Sequence, residues 1–218
     1  MRHFIPVVSL LLAVTAKAGG VELLRVDPEA GNSNFSAVFD APLGERINAV
    51  SSRVSCDLTY DATSGTLSGV CSVPLTSIVV DSQPLKTEHF QQWSTHKKSD
   101  PKVCAFEAKL SNIKLDPPLS ANTSSRFSAE VPFSVCGRPR KDKRPERVDG
   151  SAMLTASDAQ GHPKTVRVRA QIEKFDREAY EIGPAFTEGW LAKVQSLSTI
   201  VAHEGRIELS LFATAKQP

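Results

Sequence analysis

The chain has 218 residues, 26 Lys+Arg against 24 Asp+Glu, 40% hydrophobic residues and four cysteines. That length suits one domain with room for a sizeable core or an internal cavity. The small basic excess sits at the extreme N-terminus, so overall charge gives no reason to expect a nucleic-acid partner.

Met1 to Ala18 reads as an export signal: Arg2 supplies the positive start, Phe4 to Val14 an apolar core too short to span a bilayer, and Ala16-Lys17-Ala18 the cleavage site. Cleavage there removes Arg2 and Lys17 and leaves 24 basic residues against 24 acidic ones. The expected organisation is a signal peptide over 1–18 and a single domain over 19–218. No cysteine stands directly after the apolar core and no later apolar run reaches spanning length. A stable membrane anchor is therefore not expected.

The mature chain reads as a succession of short strands. Val21 to Val26 is the first, and Phe35, Ala37 and Phe39 share one face of the second, after a turn at Asn32-Ser33-Asn34. Val54, Cys56, Leu58 and Tyr60 alternate with Ser55, Asp57 and Thr59. Such alternation marks a sheet with one buried and one wet face. Asp61 to Gly65 is a hairpin loop, after which Leu67, Cys71, Val73 and Leu75 recur at strand spacing. Pro84 breaks that run. Lys86 to Lys97 is the main helical candidate, and Val103 to Leu110 alternates again.

Beyond a loop at Leu115 to Ser125, Phe127, Ala129, Val131, Phe133 and Val135 form the longest alternating face. A charged loop over Gly137 to Val148 follows. Ala152 and Leu154 begin another strand, with Gly161-His162-Pro163 as its turn. Val166, Val168, Ala170 and Ile172 form the next strand, and Ile207, Leu209, Leu211 and Ala213 the last. Thr187 to Ser196 is a second helical candidate. Short strands with turns every 8–15 residues argue for an all-β sandwich or barrel.

Four cysteines in an exported chain suggest disulfides. Cys56 and Cys71 lie almost symmetrically about the Asp61–Gly65 loop and share the apolar parity of their strands, so a hairpin sets them opposite each other. Cys104 and Cys136 are symmetric about the 115–125 loop, but Cys136 is out of phase with Phe133 and Val135, so a bulge or strand end must turn it. The alternative is four buried thiols. Neither CxxC redox spacing nor zinc-ligand spacing is present.

The stretch from Gly65 to Leu110 also resembles a known family. Val73-Pro74-Leu75-Thr76-Ser77-Ile78, then Lys86-Thr87-Glu88-His89-Phe90, then Pro101 and Phe106 follow the order and spacing of the YceI-like proteins, with the wider resemblance running from Arg25-Val26-Asp27 to the end. Lys86-Thr87-Glu88 replaces the Arg-Asp of that pattern, and Ser99-Asp100 replaces its aromatic. The resemblance implies an antiparallel lipocalin-like β-barrel, closed on itself, with one or two short helices. It implies a periplasmic protein whose apolar tunnel holds a long isoprenoid or quinone-like lipid.

The residues expected to line such a tunnel are Phe35 and Phe39; Val54 and Leu58; Val73 and Leu75; Phe90 and Trp93 of the helix; and Phe106, Phe127 and Phe133. Composition alone fits a filled core equally well. The rival reading is accordingly a non-enzymatic interaction protein with a filled barrel and partner-binding loops. A homodimer is compatible with either.

Catalysis finds no motif: G-x-S-x-G, H-E-x-x-H and a Gly-rich phosphate loop are all absent. No cofactor or metal is expected beyond a bound isoprenoid-type lipid. His89 and His96, seven apart, would share a helix face if the helix reached both, but they lack a strong third ligand. Arg138 to Arg147, RPRKDKRPER, reads as a solvated loop, with anionic headgroups as the alternative contact.

Overall fold

The computed structural model describes residues 20–95, 100–121, 123–157, 163–183 and 201–215. The export signal, His96, His162 and the candidate helix at Thr187 to Ser196 lie outside them.

The alternating segments become strands: β1 (Val21–Val26), β2 (Asn34–Asp40), β3 (Arg46–Ser51), β4 (Ser55–Asp61), β5 (Thr66–Pro74) and β6 (Val79–Val80). After a helix α1 (Pro84–Ser94) come β7 (Ala105–Lys114), β8 (Ser124–Val131), β9 (Phe133–Val135) and β10 (Arg138–Pro139). The chain finishes with β11 (Glu146–Ser157), β12 (Pro163–Asp176) and β13 (Glu204–Ala215). All belong to one sheet in the order β10-β9-β7-β5-β4-β1-β13-β12-β11-β8, and its ladders are antiparallel. β2 joins off this path, pairing with β13 and β3, and β6 pairs with β3. The polar β3 and the two-residue β6 carry too little alternation to be read from sequence.

β13 holds the sheet together. β12 covers one edge, and the other is shared: β2 pairs with Gly205 to Ser210, β1 with Ala213 to Ala215. Phe212 lies between the two. Its N–H donates to Ser33 Oγ (3.2 Å) and its carbonyl accepts from Asp27 N–H (3.0 Å), so the chain crossing from β1 to β2 satisfies the gap. Gly31 passes so close that a Cβ there would lie 2.6 Å from the Phe212 ring. A side chain cannot fit there.

The sheet curls round until β8 lies beside the end of β7. Asp116 and Arg126 exchange two backbone hydrogen bonds (2.9 and 2.7 Å), and β9 pairs with Phe106 to Ala108. Between these points no ladder joins β7 to β8 among the described residues. The expected closure is therefore incomplete. Pro132 has no N–H to give. Asn112, at φ 50°, gives its own to Ser68 Oγ (2.8 Å) and bulges β7.

Helix α1 differs from expectation at both ends. Pro84 ends the strand run as expected and is itself the first helical residue, two positions before the expected start, because that residue needs no N–H partner. The helix stops at Ser94, with Thr95 extended, so helical spacing does not carry His89 towards His96. It is tied to β6 where Thr87 Oγ1 accepts the Val80 N–H (2.9 Å) and Gln91 donates to the Ile78 carbonyl (3.2 Å).

Both disulfides form as expected. Cys56 and Cys71 are direct cross-strand partners. Cys136, bonded to Cys104, adopts φ 50° just past β9, which turns it out of that strand's phase.

The basic loop is exposed over 141–145, as the solvated reading expects, but Arg138, Arg140 and Glu146 at its ends are drawn inward. Glu146, 4% exposed, accepts from Tyr180 Oη (2.7 Å) and Arg140 Nη1 (2.9 Å). Arg138 donates to the Ser94 carbonyl (2.7 Å), linking the loop to α1. Burial raises the Tyr180 pKa, and its bond to Glu146 raises it further. Asp142 is held down to about 2, first by the hydrogen bond from Arg144 and also by Arg140. The charges in this segment answer one another, and Arg140 and Arg138 turn inward.

Replacing both Cys56 and Cys71 by Ala should lower stability by about 3 kcal/mol, the chain-entropy value for a loop of roughly this size, measured by chemical denaturation. Glu146→Ala strands the Tyr180 phenol and leaves Arg140 with Asp142 alone, and should cost about 1–3 kcal/mol. Tyr180→Phe, which removes one donor, should cost about 1 kcal/mol in the same assay.

Candidate ligand cavity

Strand period places two rows of side chains face to face inside the curled sheet. One row follows the register Phe35, Leu209, Ala170, Gly150, Phe127 across β2, β13, β12, β11 and β8. The other wall carries Cys71, Ala108 and Phe133 in register, with Val73, Phe106 and Val135 beside them. Ala108 on one wall and Ala170 on the other are too short to meet. An apolar cavity of about 70 Å³ lies there, lined by Phe35, Val73, Phe106, Ala108, Phe133 and Ala170 together with Val148, Leu209 and their neighbours. Gly150 has a separate reason to be small: the Phe127 ring lies across it, 2.3 Å from where a Cβ would be.

Aromatic rings surround this space as a connected chain. Phe106 contacts Phe35 (5.5 Å between centroids), Phe133 (6.1 Å) and Phe90, which stacks on it from α1 (6.2 Å, 8°). Phe133 continues to Phe175 (5.6 Å) and Tyr180 (5.7 Å), and Phe175 reaches Phe39 (6.5 Å). Such ring pairs add to simple area burial. They run from the cavity to the buried Glu146–Tyr180 pair, so the polar end of the core is fixed against its apolar middle.

Of the residues singled out from sequence, Phe35, Val73, Phe106 and Phe133 line the cavity, and Phe90 backs Phe106. Phe39, Val54, Leu58 and Leu75 are buried in the surrounding core and do not line it. Phe127 ends the row, folded over Gly150. Trp93 stacks on His89 along α1 (5.5 Å, 17°), away from the cavity lining. Sequence reading missed Ala108, Ala170 and Leu209, as well as Phe175 and Tyr180. The signal for Ala108 and Ala170 was available as small residues on inward parity, and for Leu209 as an apolar one; large aromatics drew attention instead.

Nothing in this cavity resembles a reactive centre. Its lining is apolar apart from Ser72 and Gln171, and the described residues contain no cluster of three or more His, Cys, Asp or Glu able to hold a metal ion. A site of this composition recognises a ligand by shape and apolar burial.

Neither a family model nor a curated protein matches the sequence. A solved structure does match the fold: a polyisoprenoid binding domain from Saccharophagus degradans implicated in plant cell wall breakdown, at TM-score 0.58 and 11% identity, covering 89% of this chain and 99% of that one. The two chains share one fold. It is the fold that the YceI-like resemblance implied, an antiparallel lipocalin-like barrel, here with its sheet not closed. Likeness at this identity concerns the fold alone. No helix among the described residues is long and apolar enough to cross a membrane.

Because Ala170 borders free space and Ala152, on the same buried face, is 1% exposed, enlarging them should differ. Ala170→Leu should change stability by less than about 1.5 kcal/mol, whereas Ala152→Leu should cost about 1–3 kcal/mol. Paired denaturation curves measure the difference.

Proposed function

We propose that this protein is an exported, periplasmic carrier that holds a long apolar lipid, isoprenoid or quinone-like, between the two walls of the barrel. The observation that supports it most is the apolar gap between Ala108 and Ala170, two partly buried residues at the edge of the buried core. The solved domain of the same fold is described as polyisoprenoid-binding, which supports the choice of ligand class. Two disulfides support an oxidising, extracytoplasmic compartment, and the export signal supports the periplasm.

The mechanism is burial without chemistry. Enclosing roughly 400 Å² of apolar ligand is worth about 10 kcal/mol before association costs. The cavity of about 70 Å³ is smaller than the roughly 300–1,000 Å³ of ordinary ligand sites, so a long chain enters by parting the walls. The partly laddered β7–β8 seam is the place in the sheet where parting breaks the fewest hydrogen bonds. No catalytic residue, metal or organic cofactor has a part in this reading.

The small cavity favours a second reading: a non-enzymatic interaction protein whose core is simply filled. Native mass spectrometry of the exported protein, followed by organic extraction, separates the two. A carrier releases a stoichiometric lipid, and Ala170→Leu lowers the bound fraction several-fold while the protein stays folded. A lipid-free spectrum for both proteins after exposure to isoprenoid vesicles removes the carrier reading. The same spectrum reports whether the protein is a monomer or a homodimer.

A further inference from the structure

A second concavity lies on the outer face of the wall that carries Ala170. Its volume is about 1170 Å³, and Phe127, Gly150, Ala170 and Leu209 contribute to its lining, although their side-chain parity points to the interior. Their backbones thus form its floor. Outward residues build two parallel rims. One follows the register Asn34, Ser210, Arg169, Ser151, Arg126 and reaches Asp116 across the β7–β8 seam. The other runs Ser36, Glu208, Gln171, Asp149, Ser128. At about 4.8 Å per strand, the groove is on the order of 20 Å long and crosses the strands at right angles.

The charges of the two rims are unequally satisfied. Glu208 is paired with Arg206 (3.0 Å) and Asp149 with Arg147 (3.4 Å), both cations lying outside the groove lining. The Ser128 hydroxyl, and then Arg147, hold the Asp149 carboxyl below the usual range. On the opposite rim, Arg126 and Arg169 make no ion pair among the described residues. Behind them Arg167 rests on the Phe212 ring (5.3 Å) with its buried Nε lacking a hydrogen-bond partner. The Phe212 ring covers that nitrogen, so only the outer guanidinium nitrogens of Arg167 are left to face the groove.

We propose that this groove binds an acidic oligosaccharide, a short sugar chain bearing carboxylates. Serine hydroxyls and the amides of Asn34 and Gln171 suit a hydroxyl-rich ligand. The Arg126, Arg167 and Arg169 guanidiniums suit carboxylates, to which a guanidinium can donate two parallel N–H bonds. A lipid chain here would cover the serine hydroxyls, amides and charges of both rims without replacing their hydrogen bonds to water. The Asp116, Asp149 and Glu208 carboxylates along the rims disfavour the denser charge of a nucleic-acid backbone. The groove and the cavity lie on opposite faces of one wall, so its ligand is independent of whatever the interior holds.

The test is calorimetric titration of the mature protein with a hexamer of galacturonic acid, set beside a neutral glucose hexamer, inorganic phosphate and phosphatidylglycerol vesicles. Saturable binding of the acidic hexamer is expected, at least tenfold tighter than the neutral one. The double variant Arg126→Gln, Arg169→Gln should weaken it tenfold or more. Arg53→Gln, an exposed cation outside the groove, should leave it unchanged. Both altered positions are exposed, and circular dichroism checks that the variant remains folded. No saturable binding at millimolar hexamer overturns the proposal. So does equal weakening by Arg53→Gln, equal affinity for free phosphate, or binding confined to the vesicles.

Discussion

One edge of β13 must serve two strands. β2 takes the first half and β1 the last three residues, so the chain between them has to leave the sheet and return within a few residues. The close pass of Gly31 over Phe212 makes that excursion sterically feasible, and Ser33 and Asp27 satisfy the backbone groups it would otherwise strand. If β13 bonded to β1 or β2 alone, either the main path of the sheet or its branch through β2, β3 and β6 would be cut. The facing rows that define the cavity exist because this edge is shared.

The same ladder row works on both of its faces. Leu209, Ala170 and Phe127 turn their side chains to the interior, with Gly150 between the last two, and the short Ala170 leaves space opposite Ala108. Their backbones floor the outer groove, and their sequence neighbours form its rims. Period-two geometry makes this coupling unavoidable: a one-residue slip of β12 would carry Arg169 into the core and Ala170 to the surface. Register between β11 and β12 is therefore under constraint from both sides. The long ladders that β12 makes with β11 and β13 supply that constraint.

The far end of the core is held differently. Glu146 sits almost fully buried and is stable there because Arg140 and Tyr180 both reach it. A buried carboxylate with two donors fixes direction as well as position. It locks the start of β11 against the 3₁₀ turn at Arg177–Tyr180. Arg138 then carries the constraint to the last residue of α1 through the Ser94 carbonyl. The aromatic chain from Tyr180 to Phe106 is the apolar continuation of this polar anchor.

The sequence by itself determined the antiparallel strands, the Cys56–Cys71 hairpin and the inward parity of Phe35, Phe106 and Phe133. Each of these follows from local alternation and loop length, which need no knowledge of distant residues. Even the awkward phase of Cys136 was legible, because two residues of one strand cannot break parity without a turn. Only the tertiary structure decided which inward residues border free space. That depends on what faces Ala108 across the barrel, and Ala170 lies more than 60 positions along the chain. Tertiary contact likewise decided that Arg140 turns inward, since its partner Glu146 is buried by Tyr180 from a separate segment. Sheet closure stayed open for the same reason: whether β8 bonds to β7 along its whole length is settled by the bulge at Asn112 and by Pro132, acting together on two strands that a single local window never contains.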